Sequence, residues 1–171
     1  MKKLFLWICL LGFTLTSMAQ EEKAEPKWAD FNGTIAAEKN PKITMIYVYN
    51  TPCNLCPNIE NKVFADSTVI KALEKDFIAT KLFASSQEEY QYKGDTHKYT
   101  EFIDDEGVNT LAILLLDGKM GYPTCVFLDE NNDKIGTHVY VREVGAMMQI
   151  LEFYSSGKYV ETAFEEWIKE Q

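Results

Sequence analysis

The apolar residues of this chain occur in short runs that are separated by polar and turn-forming residues. Residues 43–49 form a continuous apolar, β-branched and aromatic run, which is typical of a strand that is buried on both faces. A similar run predicts a second strand at 77–83. Two further strands are expected at 125–128 and 135–141, because the polar cluster 129–133 between them predicts a tight turn.

Helical spacing of the apolar residues predicts that helices separate and follow these strands. The expected helices are 28–40, a segment that carries Ile59, Val63 and Phe64, a helix from Asp66 and Ser67 to Leu73, 108–116, 144–154 and 159–168. The insertion at about 84–106 is polar and aromatic, and Gly94-Asp95 near its centre predicts a surface β-hairpin. Together these elements predict an α/β fold with a mixed central sheet and helices on both faces, in one domain over 28–171.

The first 19 residues have the layout of a secretory signal peptide. Two lysines precede an apolar run over 4–15, and small residues lead to Ala19. We therefore expect export to the periplasm, or secretion, after cleavage near Ala19, with a short polar spacer over 20–27 before the domain. The apolar run is short for a membrane span, yet retention as an uncleaved N-terminal anchor stays open.

Charge narrows the class of partner. Loss of the leader takes two lysines from the 17 basic residues and leaves 15 against 26 acidic ones, a net charge of −11. Such a chain is repelled by a phosphate backbone, so no nucleic acid partner is expected. The acidity is interpreted as a solvated surface.

Three cysteines remain after the predicted cleavage: Cys53, Cys56 and Cys125. An odd and sparse set is not the disulfide framework of a small secreted domain. One close pair and one singleton instead predict a redox-active pair and a buried thiol at Cys125, which packs as a small hydrophobe. No metal site and no cofactor beyond the redox-active pair are expected, because the other possible ligands, Cys125, His97 and His138, lack metal-ligand spacing.

The Cys53-Asn54-Leu55-Cys56 motif directly follows the predicted central strand and precedes a helix. The N-terminus of a helix carries partial positive charge and unpaired N–H groups, which favour a thiolate at Cys53. Cys53 is therefore expected to attack a disulfide, and Cys56 is expected to resolve the mixed disulfide that results. A purely structural disulfide and one half of a zinc site stay as alternatives.

Residues 45–56 and 121–128 together resemble the thioredoxin-like superfamily, and within it the secreted bacterial thioredoxin-related proteins with a Cys-x-x-Cys motif. The resemblance implies a thioredoxin-like fold with a hairpin insertion before a cis-proline segment and an extra helix at the C-terminus. It also implies that Pro123 is this cis-proline and faces the cysteine pair. Tyr122 would then offer its main chain to a bound polypeptide substrate, and Thr124 would follow the turn.

Three positions near the pair depart from this family and one matches it. Pro52 stands where thioredoxins usually have a Trp, which removes a flat aromatic side chain beside the first cysteine. Tyr47 occupies the place of a buried Asp that relays a proton to the second cysteine, and a phenol is a poor base near neutral pH. Pro57 predicts either a helix with Pro57 in its first turn or a distorted first turn. Lys81 matches a family lysine near the buried pocket, so either a tuning role or a partly exposed strand lysine is expected.

The sequence as a whole predicts an exported thiol–disulfide oxidoreductase that exchanges disulfides with protein thiols, in the reducing or isomerising direction. The expected partners are protein thiol or disulfide substrates and an electron donor, membrane-bound or soluble, and the protein is expected to be a monomer. Two alternatives stay open. One is a redox-inactive binding module with a thioredoxin fold, and the other is a copper(I)-handling chaperone that uses both cysteines.

Overall fold

The structure is a computed structural model that describes residues 24–101 and 107–171. The predicted signal peptide, the start of the predicted spacer and the end of the predicted insertion lie outside the described residues. The described strands are β1 (Ile43–Tyr49), β2 (Phe77–Phe83), β3 (Tyr90–Tyr92), β4 (Asp95–His97), β5 (Tyr99–Glu101), β6 (Gly107–Asn109), β7 (Thr124–Leu128) and β8 (Lys134–Val139). The described α-helices are α1 (Phe31–Ala36), α2 (Cys56–Asn58), α3 (Ser67–Asp76), α4 (Thr110–Leu115), α5 (Val144–Ser155) and α6 (Phe164–Trp167). None of these helices has the length and apolar character needed to cross a membrane.

Four of the strands form one mixed sheet in the order β2-β1-β7-β8. β1 runs parallel to β2 and antiparallel to β7, and β8 pairs antiparallel with the other side of β7. The central residues of β1 are all buried, which confirms the prediction of a strand enclosed on both faces. Because side chains alternate along a strand, Met45 and Tyr47 face one core while Ile46 and Val48 face the other.

Two hydrophobic cores lie on opposite faces of this sheet. The cysteine-side core includes residues of α3 and α5 and is rich in aromatic side chains, among them Tyr47, Phe64, Phe77, Phe127, Phe153, Tyr154 and Trp167. The insertion-side core includes residues of α1 and α4 and is mostly aliphatic, with Ile35, Ile46, Val48, Leu82, Leu111, Leu115, Val126 and Leu128 among its members. Removal of apolar surface from water on both faces holds β1 at the centre of the molecule.

A short extended segment before α1 covers the outer edge of β2. The N–H of Ala29 donates to the carbonyl of Ala79 (2.7 Å), and the hydroxyl of Thr80 donates to the carbonyl of Ala29 (3.0 Å). Asp30 then caps α1 by accepting a hydrogen bond from the N–H of Gly33 (2.6 Å). The segment therefore covers the middle of the edge strand, which leaves less of it open to another chain.

The helix predicted over 28–40 is limited to α1 in the structure, so the prediction is wrong at both ends. At its start the chain hydrogen-bonds to β2, as described above. At its end Ala37 is already extended, and the buried side chain of Asn40 donates to Asn132 Oδ1 (2.9 Å) in the turn between β7 and β8. Tertiary hydrogen bonds override helical spacing in this segment.

The insertion contains the predicted hairpin and also β5, which pairs with β6 directly after the insertion. β3 and β4 pair antiparallel around Lys93 and Gly94, whose φ angles of 52° and 85° form the turn. β5 and β6 pair with each other directly before α4. The helix predicted over 108–116 therefore starts later, at Thr110, because Asn109 ends the strand and acts as the N-cap of the helix.

The C-terminal region contains α5 as expected, but the last predicted helix is broken. The segment 159–168 consists of two 3₁₀ turns with the short α6 between them. Ala163 is extended and separates the first turn from α6. The break lets Phe164 and Trp167 pack against Phe153 of α5, with ring centroids 5.3 and 5.4 Å apart. Aromatic packing onto α5 therefore replaces a continuous helix.

Candidate active site

The cysteine pair lies directly after β1, at the end of the sheet where β7 begins. Cys53 and Cys56 are joined by a disulfide, and their Cα atoms are 5.5 Å apart. Cys53 is half-buried, whereas Cys56 is only 6% exposed. Because an incoming thiolate attacks the sulfur that it can reach, this difference favours Cys53 as the sulfur that exchanges with a partner.

The helix after the pair begins at Cys56 and has Pro57 in its first turn. A proline is tolerated there because the N–H that it lacks has no partner within the helix at this position. The N–H of Cys56 donates to the sulfur of Cys53 (3.1 Å). A donor of this kind stabilises a thiolate at Cys53 once the disulfide is reduced. The structure agrees with the first of the two outcomes expected for Pro57.

A π-helical turn over Ile59–Val63 follows α2 without a break. The N–H of Phe64 donates to the carbonyl of Ile59 (2.8 Å), which closes the wide turn. Ile59, Val63 and Phe64 are all buried in the cysteine-side core, as their helical spacing predicts. The segment anchors the cysteine pair to the core and leaves Glu60, half-buried, four residues after Cys56.

Tyr47 is fully buried in β1, and its hydroxyl donates to Glu60 Oε1 over 3.0 Å. Burial, followed by the negative charge of Glu60, holds the pKa of the Tyr47 phenol well above its ordinary value. Tyr47 is therefore a hydrogen-bond donor and a poor base, in line with expectation. Glu60 is absent from the predicted site residues, although its helical spacing of four from Cys56 is a signal for it.

Lys81 lies beside Tyr47 in the β1–β2 register, but its ammonium group is turned towards the N-terminal segment. Lys81 Nζ lies 4.3 Å from the centroid of the Trp28 ring and 3.4 Å from Glu25 Oε2. Trp28 in turn packs edge-on against Phe64 (5.1 Å between centroids) and tilted against Tyr47 (6.2 Å). Any influence of Lys81 on the cysteine pair is therefore expected to act through Trp28 and Tyr47.

The segment before β7 lies at the cysteine end of the sheet. The peptide bond between Tyr122 and Pro123 is cis, and Thr124 pairs with Val48 near the end of β1. The Thr124 hydroxyl donates to the carbonyl of Gly121 (2.7 Å), which closes the turn. Tyr122 is half-buried, and burial raises the pKa of its phenol to about 12. The β1–β7 register thus brings Tyr122, Pro123 and Thr124 to the same end of the sheet as the disulfide.

The turn after β8 supports the proline segment from the other side. The N–H of Tyr140 donates to the carbonyl of Pro123 (3.0 Å). Tyr140 has a φ of 56°, in the left-handed region, which ends β8 at Val139 rather than at the predicted residue 141. A Cβ at Gly121 would lie 3.1 Å from the Tyr140 hydroxyl and 3.1 Å from Val139 Cγ1, so a glycine permits the close approach. The exposed Val139 and Tyr140 side chains therefore flank the proline segment.

Solved structures share the arrangement of these elements. A thioredoxin-fold protein from Helicobacter pylori matches over 84% of this chain and 88% of its own, with a TM-score of 0.62 and 16% identity. The chain has the thioredoxin fold. A thioredoxin from Thermus thermophilus, solved in solution, matches over 75% of this chain and 85% of its own, with a TM-score of 0.52 and 17% identity. No family model and no curated protein matches the sequence.

Within the thioredoxin fold, the remaining candidate residues make internal contacts. Cys125 is fully buried in β7, and burial raises the pKa of its thiol to about 12. His138 Nε2 lies 3.0 Å from the Tyr154 hydroxyl, and burial lowers the pKa of this imidazole to about 4. His97 Nδ1 lies 3.3 Å from Thr110 Oγ1. In the described part of the chain, no group of three or more His, Cys, Asp or Glu side chains is placed to hold a metal.

The position before Cys53 contributes no aromatic ring beside the pair, because Pro52 stands there and is exposed. Tyr49, at the end of β1, stacks on Tyr47 with ring centroids 5.5 Å apart and planes 10° apart. Burial and the charge of Glu60 raise the pKa of the Tyr49 phenol. The aromatic surface near the pair therefore belongs to the cluster around Tyr47 rather than to the residue before the first cysteine.

Proposed function

We propose that the protein is an exported thiol–disulfide oxidoreductase that exchanges disulfides with protein thiols, in the reducing or isomerising direction. The observation that carries the proposal is the unequal burial of the pair. In a thioredoxin fold, half-buried Cys53 is bonded to buried Cys56 at the first turn of a helix. A structural disulfide gains nothing from one reachable sulfur, whereas exchange requires it.

In the proposed reaction the reduced protein meets a disulfide in a substrate protein. The Cys53 thiolate attacks one substrate sulfur, forms a mixed disulfide and releases the other substrate sulfur as a thiolate, which takes up a proton. Cys56 then loses its proton and attacks the Cys53 sulfur. The Cys53–Cys56 disulfide forms, and the second substrate sulfur leaves and becomes a thiol. The substrate gains two electrons and two protons; the cysteine pair supplies both electrons, Cys56 gives up one proton, and the other proton comes from solvent.

The proline segment is proposed to hold the substrate polypeptide. Tyr122 would offer main-chain hydrogen bonds beside Pro123, and Thr124 fixes the turn through its bond to Gly121. The Pro123 carbonyl already accepts from Tyr140, so this part of the segment is fixed before a substrate arrives. A segment fixed in advance loses less conformational entropy when a polypeptide binds.

The cellular setting of the proposal comes from the leader sequence. We propose that the protein acts in the periplasm or outside the cell, as a monomer that needs no cofactor beyond its own disulfide. Its electrons would come from a membrane-bound or soluble donor. Acidic composition supports a protein partner rather than a nucleic acid.

Trapping of substrates tests the proposal. The Cys56→Ser variant is expected to accumulate mixed disulfides with substrate proteins through Cys53, visible on non-reducing gels and lost on treatment with dithiothreitol. Cys125→Ala is the matched control and is expected to resolve substrates like the wild type, because its thiol is buried. The reduced wild type is expected to reduce insulin disulfides.

Two results together would contradict this function: no reduction of insulin and no complex trapped by Cys56→Ser. The reduction potential of the pair then separates the alternatives. A potential below roughly −300 mV, with partner binding unchanged in Cys53→Ala, would support a binding module with a structural disulfide. Stoichiometric copper(I) binding that is lost in either cysteine variant would support the metal-handling alternative.

A further inference from the structure

Resolution of a mixed disulfide requires the thiol of Cys56 to lose a proton in a place where water has little access. Cys56 is 6% exposed. Tyr47 cannot accept this proton, because its phenol is held in the protonated form by burial and by Glu60. Cys125, across the strand from Tyr47, is a buried thiol whose own pKa is raised. A carboxylate is the kind of group that suits the step.

Glu60 has the position that this step requires. It lies four residues after Cys56, about one turn further along the continuous segment that α2 and the π-helical turn form. Its Oε1 accepts a hydrogen bond from the Tyr47 hydroxyl, which holds the carboxylate on the side of the helix that faces β1. Glu60 is half-buried, so it can also pass a proton on to solvent.

We propose that Glu60 accepts the proton of Cys56 during resolution and that Tyr47 is the positioning residue that orients the Glu60 carboxylate. The inference rests on the proposed function. When Cys53 carries the mixed disulfide, the Cys56 S–H bond breaks and its proton moves to Glu60, either directly or through one water. The Cys56 thiolate then bonds to the Cys53 sulfur, and the substrate sulfur leaves with the electron pair of the broken S–S bond. Glu60 afterwards releases the proton to solvent.

The charged and titratable groups near Glu60 do not replace its carboxylate as the acceptor of the Cys56 proton. The phenols of Tyr47 and Tyr49, on β1, both interact with Glu60 and are neutral near pH 7. On its own helix, Lys62 is paired with Glu143 at the start of α5 over 2.7 Å. The other cation beside Tyr47, on β2, is Lys81, which contacts Trp28 and Glu25 instead.

Rapid mixing of the reduced mature protein with a symmetric peptide disulfide separates the two steps. Samples are quenched with acid at set times, and mass spectrometry counts the mixed disulfide and the internal disulfide. Glu60→Gln is expected to form the mixed disulfide within about 2-fold of the wild-type rate. Its decay at pH 6 is expected to be at least about 10-fold slower, because a general base is lost. Above about pH 9 the difference should shrink, since hydroxide removes the proton directly.

Matched variants separate proton transfer from a structural effect. Glu143→Gln removes a nearby exposed carboxylate and is expected to leave both steps unchanged. Tyr47→Phe keeps Glu60 but removes the hydroxyl that orients its carboxylate, so the decay of the mixed disulfide at pH 6 is expected to slow several-fold while its formation stays within about 2-fold of the wild type. Tyr49→Phe removes the hydroxyl of the stacked neighbour and is expected to leave both steps unchanged. Glu60→Asp retains a carboxylate and is expected to recover part of the lost rate.

The outcomes are distinct from those of the proposed function. If the wild type forms no mixed disulfide, the oxidoreductase proposal fails. If the mixed disulfide forms and then decays alike in wild type and Glu60→Gln, or if both steps slow equally, the role of Glu60 is wrong and the oxidoreductase proposal stands. Should Glu60→Gln not fold, an unchanged decay rate of the mixed disulfide in Tyr47→Phe would overturn the inference on its own.

Discussion

The two cores on either face of the sheet are built from neighbouring residues of the same strands, yet they differ in chemistry. In β7, Cys125 and Phe127 face the cysteine-side core, while Val126 and Leu128 face the insertion-side core. The cysteine-side core encloses hydroxyl, thiol and imidazole groups among aromatic rings. The insertion-side core is mostly aliphatic, and side-chain amides and tyrosine hydroxyls close its rim, among them Asn109, Asn132 and Tyr92.

The difference shows where ionisation of a buried side chain costs the most free energy in this molecule. On the cysteine side, burial raises the pKa of the Tyr47 and Tyr154 phenols and lowers that of the His138 imidazole, so each group is held in its neutral form. Cys56 is also buried, so its thiol would resist ionisation unless a group nearby takes its proton. The proposed chemistry requires no proton transfer on the insertion side, which stabilises the sheet through packing and hydrogen bonds.

Among these predictions, truncation of adjacent residues in β7 should change the free energy of unfolding most, and it compares the two cores directly. Phe127 stacks on Tyr154 with centroids 4.1 Å apart, and Phe127→Ala is expected to lower the free energy of unfolding by about 4 kcal/mol. Val126→Ala, on the opposite face, is expected to cost about 2 kcal/mol because fewer buried methyl groups are lost. Chemical denaturation of the oxidised mature protein measures both. Equal costs would contradict the expected difference between the two cores.

Acid should weaken the cysteine side through His138. The pKa of this imidazole falls from an ordinary value of 6.5 to about 4 in the folded protein, so the unfolded chain binds its proton first. The stabilising contribution is complete above pH 6.5 and is lost as the pH falls towards 4, by about 3 kcal/mol. Free energies of unfolding of wild type and His138→Gln should therefore converge over this range. Parallel curves would show that the buried imidazole is not the responsive group.

Removal of an amide at the insertion side should destabilise the fold and leave the chemistry intact. The Asn109 side chain donates to the carbonyls of Ser86 (3.1 Å) and Glu88 (2.9 Å), and it caps α4. Asn109→Ala is expected to cost about 2 kcal/mol through the lost cap and the unpaired buried carbonyls. Reduction of insulin is expected to stay within about 2-fold at temperatures where the variant is folded. Asn131→Ala, at an exposed position, is the control, and a loss of activity in Asn109→Ala alone would couple the two faces.

The smallest effect is expected at the covered edge of the sheet. Lys81→Met removes the cation above the Trp28 ring and the exposed pair with Glu25, and it keeps most of the apolar stem. The expected loss is less than about 1 kcal/mol. A thermal melt measures the stability, and the rate of insulin reduction tests for a tuning role. A several-fold change in that rate at unchanged stability would show that Lys81 acts on the pair through the aromatic cluster.

The parts of the fold that were predictable are those set by short-range pattern. The unbroken apolar run at 43–49 announces a buried strand, and a cysteine motif that follows such a strand directly must lie at its end. The order of strands and helices then restricts the sheet to a few topologies. The prediction of the proline segment rested on a family resemblance and not on residue spacing. Its role in holding a substrate stays a proposal.

The features that escaped prediction depend on partners far away in the sequence. α1 ends early because Asn40 bonds to Asn132, and the last helix breaks because Phe164 packs on α5. Glu60 is an ordinary helical glutamate until the fold places the Tyr47 hydroxyl against it. Local periodicity carries no information on such contacts. The spacing of Glu60 from Cys56 can be read from the sequence, but its hydrogen bond with Tyr47 is known only from the structure.

The hydrogen bond between Tyr47 and Glu60 also favours one register of β1 in the sheet. If β1 slipped by one residue against its neighbours, every side chain in it would change faces. The Tyr47 hydroxyl would then be enclosed among aliphatic groups without its acceptor, at a cost of about 1–3 kcal/mol. The loop that carries Cys53 and Cys56 would also be displaced relative to Pro123. This one polar contact therefore favours the native register of β1. With Val or Phe at position 47, the free-energy difference between the native and the shifted register would be smaller, and the cysteine pair would be placed less uniquely.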